Sequence, residues 1–338
     1  MSVPPEEDSA RPAAPCVCAP CNQGRWSAAP TALIFLGIIA LTWIPVTLFT
    51  LSFRQYAGGT VALVVVFHML LLLTLAAWLH AAFVDPGTPP EAWQREMSEA
   101  ERRGERVNVC QRSGLYKPPR SHFDSVTKRL TLNMDHFCPW VLNTVGYYNR
   151  KFFILFLGYT VLTLFFAVLT LLLQLPAIWE WLGSDTAQSA WFDNPMNAAV
   201  FCGALALDSC LLVFLLPFFL VHLKMALRNE TTIEGSRFPQ FDVGGAANLA
   251  QVFGRSRWHW LCPCYCRGPD GDGIVWPTDG NGPLNELATS RAPLAERLNR
   301  RFPPGSTFQS AAEARAYVAQ QHKEVQAEFL AERDDEAL

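Results

Sequence analysis

The stretch Asp135-His136-Phe137-Cys138-Pro139-Trp140 places a histidine two residues before a cysteine and a carboxylate directly before the histidine. A thiol is a weak nucleophile until it becomes a thiolate. An adjacent imidazolium favours the thiolate, and a carboxylate can orient and stabilise that imidazolium. Asp135, His136 and Cys138 are therefore a candidate unit for nucleophilic catalysis. The plainer alternative is a chance cluster in a polar loop, because adjacency in sequence does not guarantee contact in space. Two further cysteine groups stand apart from it, Cys16/Cys18/Cys21 and Cys262/Cys264/Cys266. The first could bind a metal but has no partner ligands near it. Acylation of juxtamembrane thiols is an equal candidate, and inert thiols in a tail are the plainer one.

The elements that must position Cys138 are apolar blocks. The chain of 338 residues is half apolar, and its net charge of −3 gives no basic balance for nucleic acid. Four blocks reach spanning length with almost no charge: Thr31 to Leu51, Thr60 to Val84, Phe152 to Leu175 and Ala198 to Leu223. A buried helix of a soluble protein would rarely stay apolar on all sides for so long. The first block follows a Pro/Ala/Cys-rich segment with no basic n-region, so it does not read as a signal peptide.

The fold class predicted is an all-α integral membrane protein with four transmembrane helices and a cytosolic active-site loop between the second and third. The loop from Asp85 to Lys151 holds eleven Lys and Arg, and the connection from Pro176 to Asn197 holds none. The positive-inside rule then puts that loop and both termini in the cytosol. The turn at Arg54 and the loop with Trp179, Trp181 and Trp191 face the other side. Cytosolic thiols stay reduced, so the ten cysteines do not read as a disulfide framework.

The expected layout is a disordered N-terminus (1–30), helices one and two (31–84), the loop (85–151), helices three and four (152–223), a juxtamembrane segment (224–267) and a polar tail (268–338). The tail is read as carrying a helix from about Ser310 to Arg333. Glu91 to Arg106 reads as a charged, exposed helix. Asp85-Pro86-Gly87 ends the second span with a turn. His68 and His80 in that span are expected to hydrogen-bond within the bundle, and Pro45 is a candidate kink. Asp208 in the fourth span is an intramembrane carboxyl, weighed evenly between a functional and a structural role. Trp258, Trp260 and Leu261 form an aromatic patch suited to the membrane interface.

These residues together resemble the DHHC palmitoyltransferases, the protein S-acyltransferases of eukaryotic membranes. Asp85-Pro86-Gly87 looks like the family's DPG motif and Thr231-Thr232-Ile233-Glu234 like its TTxE motif. The Asn248 region, ending Val-Phe-Gly, looks like its asparagine-bearing motif. Lys117 to His122, Asn133 to Trp140, and Asn143, Val145, Gly146 and Asn149 run in register with its loop. The resemblance implies transfer of a palmitoyl group from acyl-CoA, the co-substrate, to protein cysteines through an acyl-Cys138 intermediate, with His136 as base and Asp135 orienting it. It implies that Asp85, Thr232 and Asn248, with Pro139 and Trp140, organise the loop, and that no cofactor is bound permanently. Partners would be membrane-proximal proteins with acceptor cysteines, and the lipid bilayer. The C-terminus, Asp335-Glu336-Ala337-Leu338, carries no retention signal, so endomembranes (Golgi or ER) and the plasma membrane both stay open.

One departure is large. The family's loop holds two zinc ions through six Cys and two His. In register those positions are Cys110, Ser113, Phe123, Asp124, Thr127, Leu130, Phe137 and Thr144. Zinc needs four N, S or O ligands, usually Cys and His in structural sites, so no zinc is expected here. A small apolar cluster of Phe123, Val126, Leu130, Leu132 and Phe137 is the expected substitute. Structural zinc supplies on the order of 10 kcal/mol, against roughly 1.5–3 kcal/mol for each large side chain buried. A poorly held loop would favour a different class of function, an inactive relative serving as a membrane adaptor or scaffold. Cationic residues near the membrane face (Lys128, Arg129, Lys224, Arg228) are candidates for the coenzyme A phosphates, or simply topogenic charge.

Overall fold

The computed structural model describes residues 25–52, 57–105, 107–176, 179, 195–264 and 268–278. Cys16, Cys18, Cys21, Arg54, Trp181, Trp191, Cys266 and the tail helix expected near Ser310 to Arg333 lie outside the described residues.

The apolar blocks become helices α1 (Ala29–Ser52), α2 (Ala57–Phe83), α4 (Arg150–Leu172) and α5 (Pro195–Leu227), with α3 (Glu91–Arg102) between the second and third of these. Among the described residues, four helices are long and apolar enough to cross a membrane: Ala29–Leu51, Val61–Phe83, Arg150–Leu172 and Met196–Leu227. Each falls on one of the blocks expected from sequence. Side chains such as Leu33, Val213 and Phe214 stand exposed on them, which water would penalise and lipid does not. The 32-residue span of α5 is about 48 Å long at 1.5 Å per residue, well beyond the roughly 30 Å hydrocarbon core. It therefore carries His222 and the chain after it out to the loop.

Helix α4 is the centre of the bundle, buried throughout its first two turns and exposed along a stripe at Leu162, Phe165 and Leu169, and it packs along both α2 and α5. Among the described residues, three polar pairs link the spanning helices. Thr74 and Thr163 hydroxyls lie 3.1 Å apart, Trp43 Nε1 donates to His68 Nε2 at 3.0 Å, and Thr42 Oγ1 donates to Asp208 Oδ1 at 2.9 Å. His80 instead bonds Ala76 O of its own helix at 2.8 Å. Helix α1 continues through Pro45.

The loop adds what the helical reading did not contain. Among the described residues it holds two short antiparallel hairpins. One joins β1 (His122–Asp124) to β2 (Arg129–Thr131), and the other joins β3 (His136–Cys138) to β4 (Asn143–Val145). Such hairpins are marginal alone, and here they are tied to the helices. Asn143 Nδ2 donates to Ala81 O at 3.2 Å and Val84 O at 2.9 Å, which satisfies carbonyls left over at the end of α2. Asp85 Oδ2 takes Arg129 Nη2 at 2.9 Å and so ties that same end to β2. Gly87, at φ +102°, and Gly146 sit where the turn after α2 crosses the hairpins; a Cβ on Gly146 would stand 2.9 Å from Pro86 O and 3.0 Å from Leu132 O.

Two expectations are corrected. Helix α3 ends at Arg102 and is not simply exposed, because Trp93, Met97 and Ala100 form an inner face packed on Leu132 and Tyr147. The start of the tail is part of that packing as well. Ile274 and Trp276 are buried in the same cluster, so residues 268–278 belong to the loop domain.

Candidate active site

Strand alternation puts His136 and Cys138 on one face of β3 and turns Phe137 to the other. A spacing that was only suggestive in sequence thereby becomes contact. His136 Nδ1 bonds Asp135 Oδ2 at 2.8 Å, which leaves Nε2 for Cys138, whose sulfur is close enough to shift the imidazole. Asp135 is buried and held on three sides. Its amide donates to Val145 O at 2.8 Å, its Oδ1 accepts from Thr232 N at 2.6 Å, and its carbonyl accepts from Thr232 Oγ1 at 2.6 Å.

The electrostatics follow from this arrangement. Burial alone would raise the Asp135 carboxyl, but the His136 hydrogen bond, the charges of Arg150 and His136, and the Thr232 amide hold it well below the usual carboxylate range. Burial works against a charged His136. The Asp135 and Cys138 hydrogen bonds and charges outweigh it and raise the imidazole to about 9. At neutral pH His136 keeps its proton and faces Cys138 as an imidazolium, the partner that stabilises a thiolate.

Cys138 is buried at the mouth of the bundle. It joins a cluster with Phe35 of α1, Ala77 and Trp78 of α2 and Phe152 of α4. Pro139 opens a tight turn over Pro139–Val141, closed by Leu142 at φ 55°. Trp78 Nε1 donates to Trp140 O at 2.9 Å, while the Trp140 side chain is exposed. The turn after the cysteine is thus fastened below the end of α2, and the thiol opens onto apolar helix surfaces.

The other expected site residues act at a distance from the sulfur. Thr232 clamps Asp135. Asp85 also accepts from Gly87 N at 2.8 Å. Asn248, in α6 (Gly245–Phe253), donates to Leu227 O at 2.8 Å and Asp242 Oδ1 at 2.6 Å, so it fastens α6 to the end of α5. Arg129 is engaged by Asp85, whereas Lys128, Lys224 and Arg228 are exposed.

Sequence reasoning missed three residues. Arg120 is buried with φ 61° and bonds Glu234 through Nε at 2.8 Å and Nη2 at 2.7 Å. It also reaches Asn229 O at 2.5 Å and lies against the Phe241 and Trp276 rings. The Glu of Thr-Thr-Ile-Glu was the available signal, because a carboxylate in a buried turn needs a cation. His222 of α5 is buried with its ring 5.8 Å from His136, and its Nδ1 is 3.8 Å from Asp135 Oδ2. Phe153 stands edge-on to both rings. Only the apolar block around His222 was visible in the sequence.

The positions where the resemblance would put zinc ligands do not fit that metal. Phe123, Leu130 and Phe137 have no lone pair to give. The oxygens of Asp124, Thr127 and Thr144 hydrogen-bond one another, with Thr127 Oγ1 donating to Asp124 Oδ2 at 2.7 Å and Thr144 Oγ1 donating to the same oxygen. Among the described residues no cluster of His, Cys, Asp and Glu could hold a metal ion. The expected apolar substitute does not form as one unit. Phe123 pairs with Leu130 across the first hairpin, Leu132 packs with Trp93, and Phe137 packs on the bundle.

A family model described as DHHC palmitoyltransferase matches residues 104–238, the segment that carries both hairpins and Thr232. "Probable protein S-acyltransferase 12" of Arabidopsis thaliana is 32% identical over 252 residues, covering 69% of this chain and 83% of the relative. "Palmitoyltransferase ZDHHC20-B" of Danio rerio is 30% identical over 296 residues, covering 74% and 87%. "Palmitoyltransferase ZDHHC2" of Mus musculus is 29% identical over 289 residues, covering 70% and 76%. The chain belongs to the DHHC palmitoyltransferase family. It is a multi-pass membrane protein and a protein S-acyltransferase.

Proposed function

We propose that this chain moves a long-chain acyl group from acyl-CoA to cysteines of membrane-proximal proteins in two thioester exchanges, through an acyl-Cys138 intermediate and without structural zinc. The observation that carries the reading is the buried Asp135 carboxylate bonded to His136 Nδ1 at 2.8 Å, with Cys138 on the same face of β3 as that imidazole.

In the first exchange the Cys138 thiolate attacks the thioester carbonyl of acyl-CoA. The carbon–sulfur bond to coenzyme A breaks, and the departing thiolate takes the proton held on His136. In the second exchange an acceptor thiol gives its proton to the now neutral His136 and attacks acyl-Cys138. The Cys138 thiolate leaves and His136 is again an imidazolium. The apolar cluster around Cys138 supports a path for the acyl chain down between the helices. Lys128, Lys224 and Arg228 are exposed cations suited to the coenzyme A phosphates. The charge asymmetry of the connections supports a cytosolic loop and cytosolic termini.

The test is to incubate the purified chain with labelled palmitoyl-CoA. A hydroxylamine-labile label that disappears in Cys138→Ser is expected. A label of equal strength in Cys138→Ser would assign the chemistry to another cysteine and defeat the reading.

A further inference from the structure

The two faces of the β3–β4 hairpin do different work. His136, Cys138, Asn143 and Val145 occupy one, while Phe137 and its cross-strand partner Thr144 occupy the other. Behind that second face lies a closed polar cluster. Asp124 Oδ2 accepts from the hydroxyls of Thr127 and Thr144, and Asp124 Oδ1 accepts the Val126 amide at 2.8 Å. Asp124 ends β1 and Thr144 lies on β4, so one carboxyl joins the two hairpins. All three side chains are buried, with Asp124 at 2% and Thr144 at 0% exposure. Every oxygen of the cluster thus has a protein partner, and a metal would have to break these bonds to enter. The register carries the tie to the chemistry, because β4 pairs Asn143 with Cys138 and Val145 with His136. A shift of β4 would move the sulfur and the imidazole together.

We infer that Asp124, Thr127 and Thr144 are positioning residues, a hydrogen-bonded lock that takes over the role zinc ions play in the family's loop and holds His136 against Cys138 with no metal. This deepens the reading of Cys138 as nucleophile and rests on it for its rate measurements.

The test combines metal dependence with one conservative pair of variants. In the wild-type chain zinc analysis should find no stoichiometric metal, and a chelator should leave both melting temperature and Cys138 labelling unchanged. Thr144→Val keeps the shape and removes the hydroxyl. It should slow labelling by about 10- to 100-fold, the scale of an ångström's misplacement, with the half-saturating palmitoyl-CoA concentration unchanged. Thr144→Ser returns the hydroxyl and should recover most of the rate. Stoichiometric zinc whose removal lowers the melting temperature would overturn the lock, as would Thr144→Val labelling at the wild-type rate. If Thr144→Val does not fold, the chelator result and the Thr144→Ser rate still decide. A wild-type chain that takes no label would count against Cys138 as nucleophile, while the chelator melting curve would still test the lock.

Discussion

His136 and Asp135 set the pH behaviour of the site. His136 is raised from an ordinary 6.5 to about 9, so its contribution to stability is complete below 6.5 and is lost as pH rises through 9. Asp135 is depressed from an ordinary 3.8, so its contribution is complete above 3.8 and is lost only as pH falls well below that. Both are fully present between about pH 4 and 6.5. The rate of Cys138 labelling should fall on the alkaline side near pH 9, where the imidazolium is lost. Asp135→Asn removes the partner that raises His136, and the alkaline limb of the pH–rate profile should move to lower pH. An unmoved limb would mean that the carboxylate does not control the imidazole. Asp135, His136 and Cys138 were singled out by their types and spacing alone. Their contact rests on the β3 alternation, which three residues were too few to announce.

At the scale of elements, the loop is held by buried polar ties between segments far apart in the chain. Arg120 and Glu234 join the approach to β1 to the turn after α5, with 2% and 3% of their side chains exposed. Removing one partner of a buried pair typically costs about 3–5 kcal/mol, because the other charge is left uncompensated. Glu234→Ala should therefore lower the denaturant midpoint markedly, and Arg120→Met/Glu234→Leu should cost less than the two single changes summed. Additive losses would show that the two groups act independently. The spans were legible because apolar runs of that length have few other uses. The hairpins were not, because strands this short carry no period and they bury Asp124 and Thr144, with Thr127 of the intervening turn, where a core pattern would show apolar residues. The inner face of α3 was present as Trp93, Met97 and Ala100. Its partner Trp276 lies far along the chain, in a stretch whose composition reads as tail.

For the whole molecule, the bundle sets Cys138 at its mouth among apolar helix residues, surroundings that would suit the acyl chain of the proposed transfer. The positive-inside reading has a direct check. In sealed vesicles with the cytosolic face outward, a cysteine placed by Lys128→Cys should take an impermeant maleimide above the parent background. One placed by Trp179→Cys should do so only after permeabilisation, and the reverse pattern would invert the topology. The most direct test of the central claim is a chase. The chain is loaded with labelled palmitoyl-CoA, freed of unreacted thioester, and mixed with a cysteine peptide in membranes. Label held at Cys138 should leave the chain and appear on the peptide with no acyl-CoA present. Label that stays on the chain, while transfer to the peptide still requires acyl-CoA in the mixture, would contradict an acyl-Cys138 intermediate.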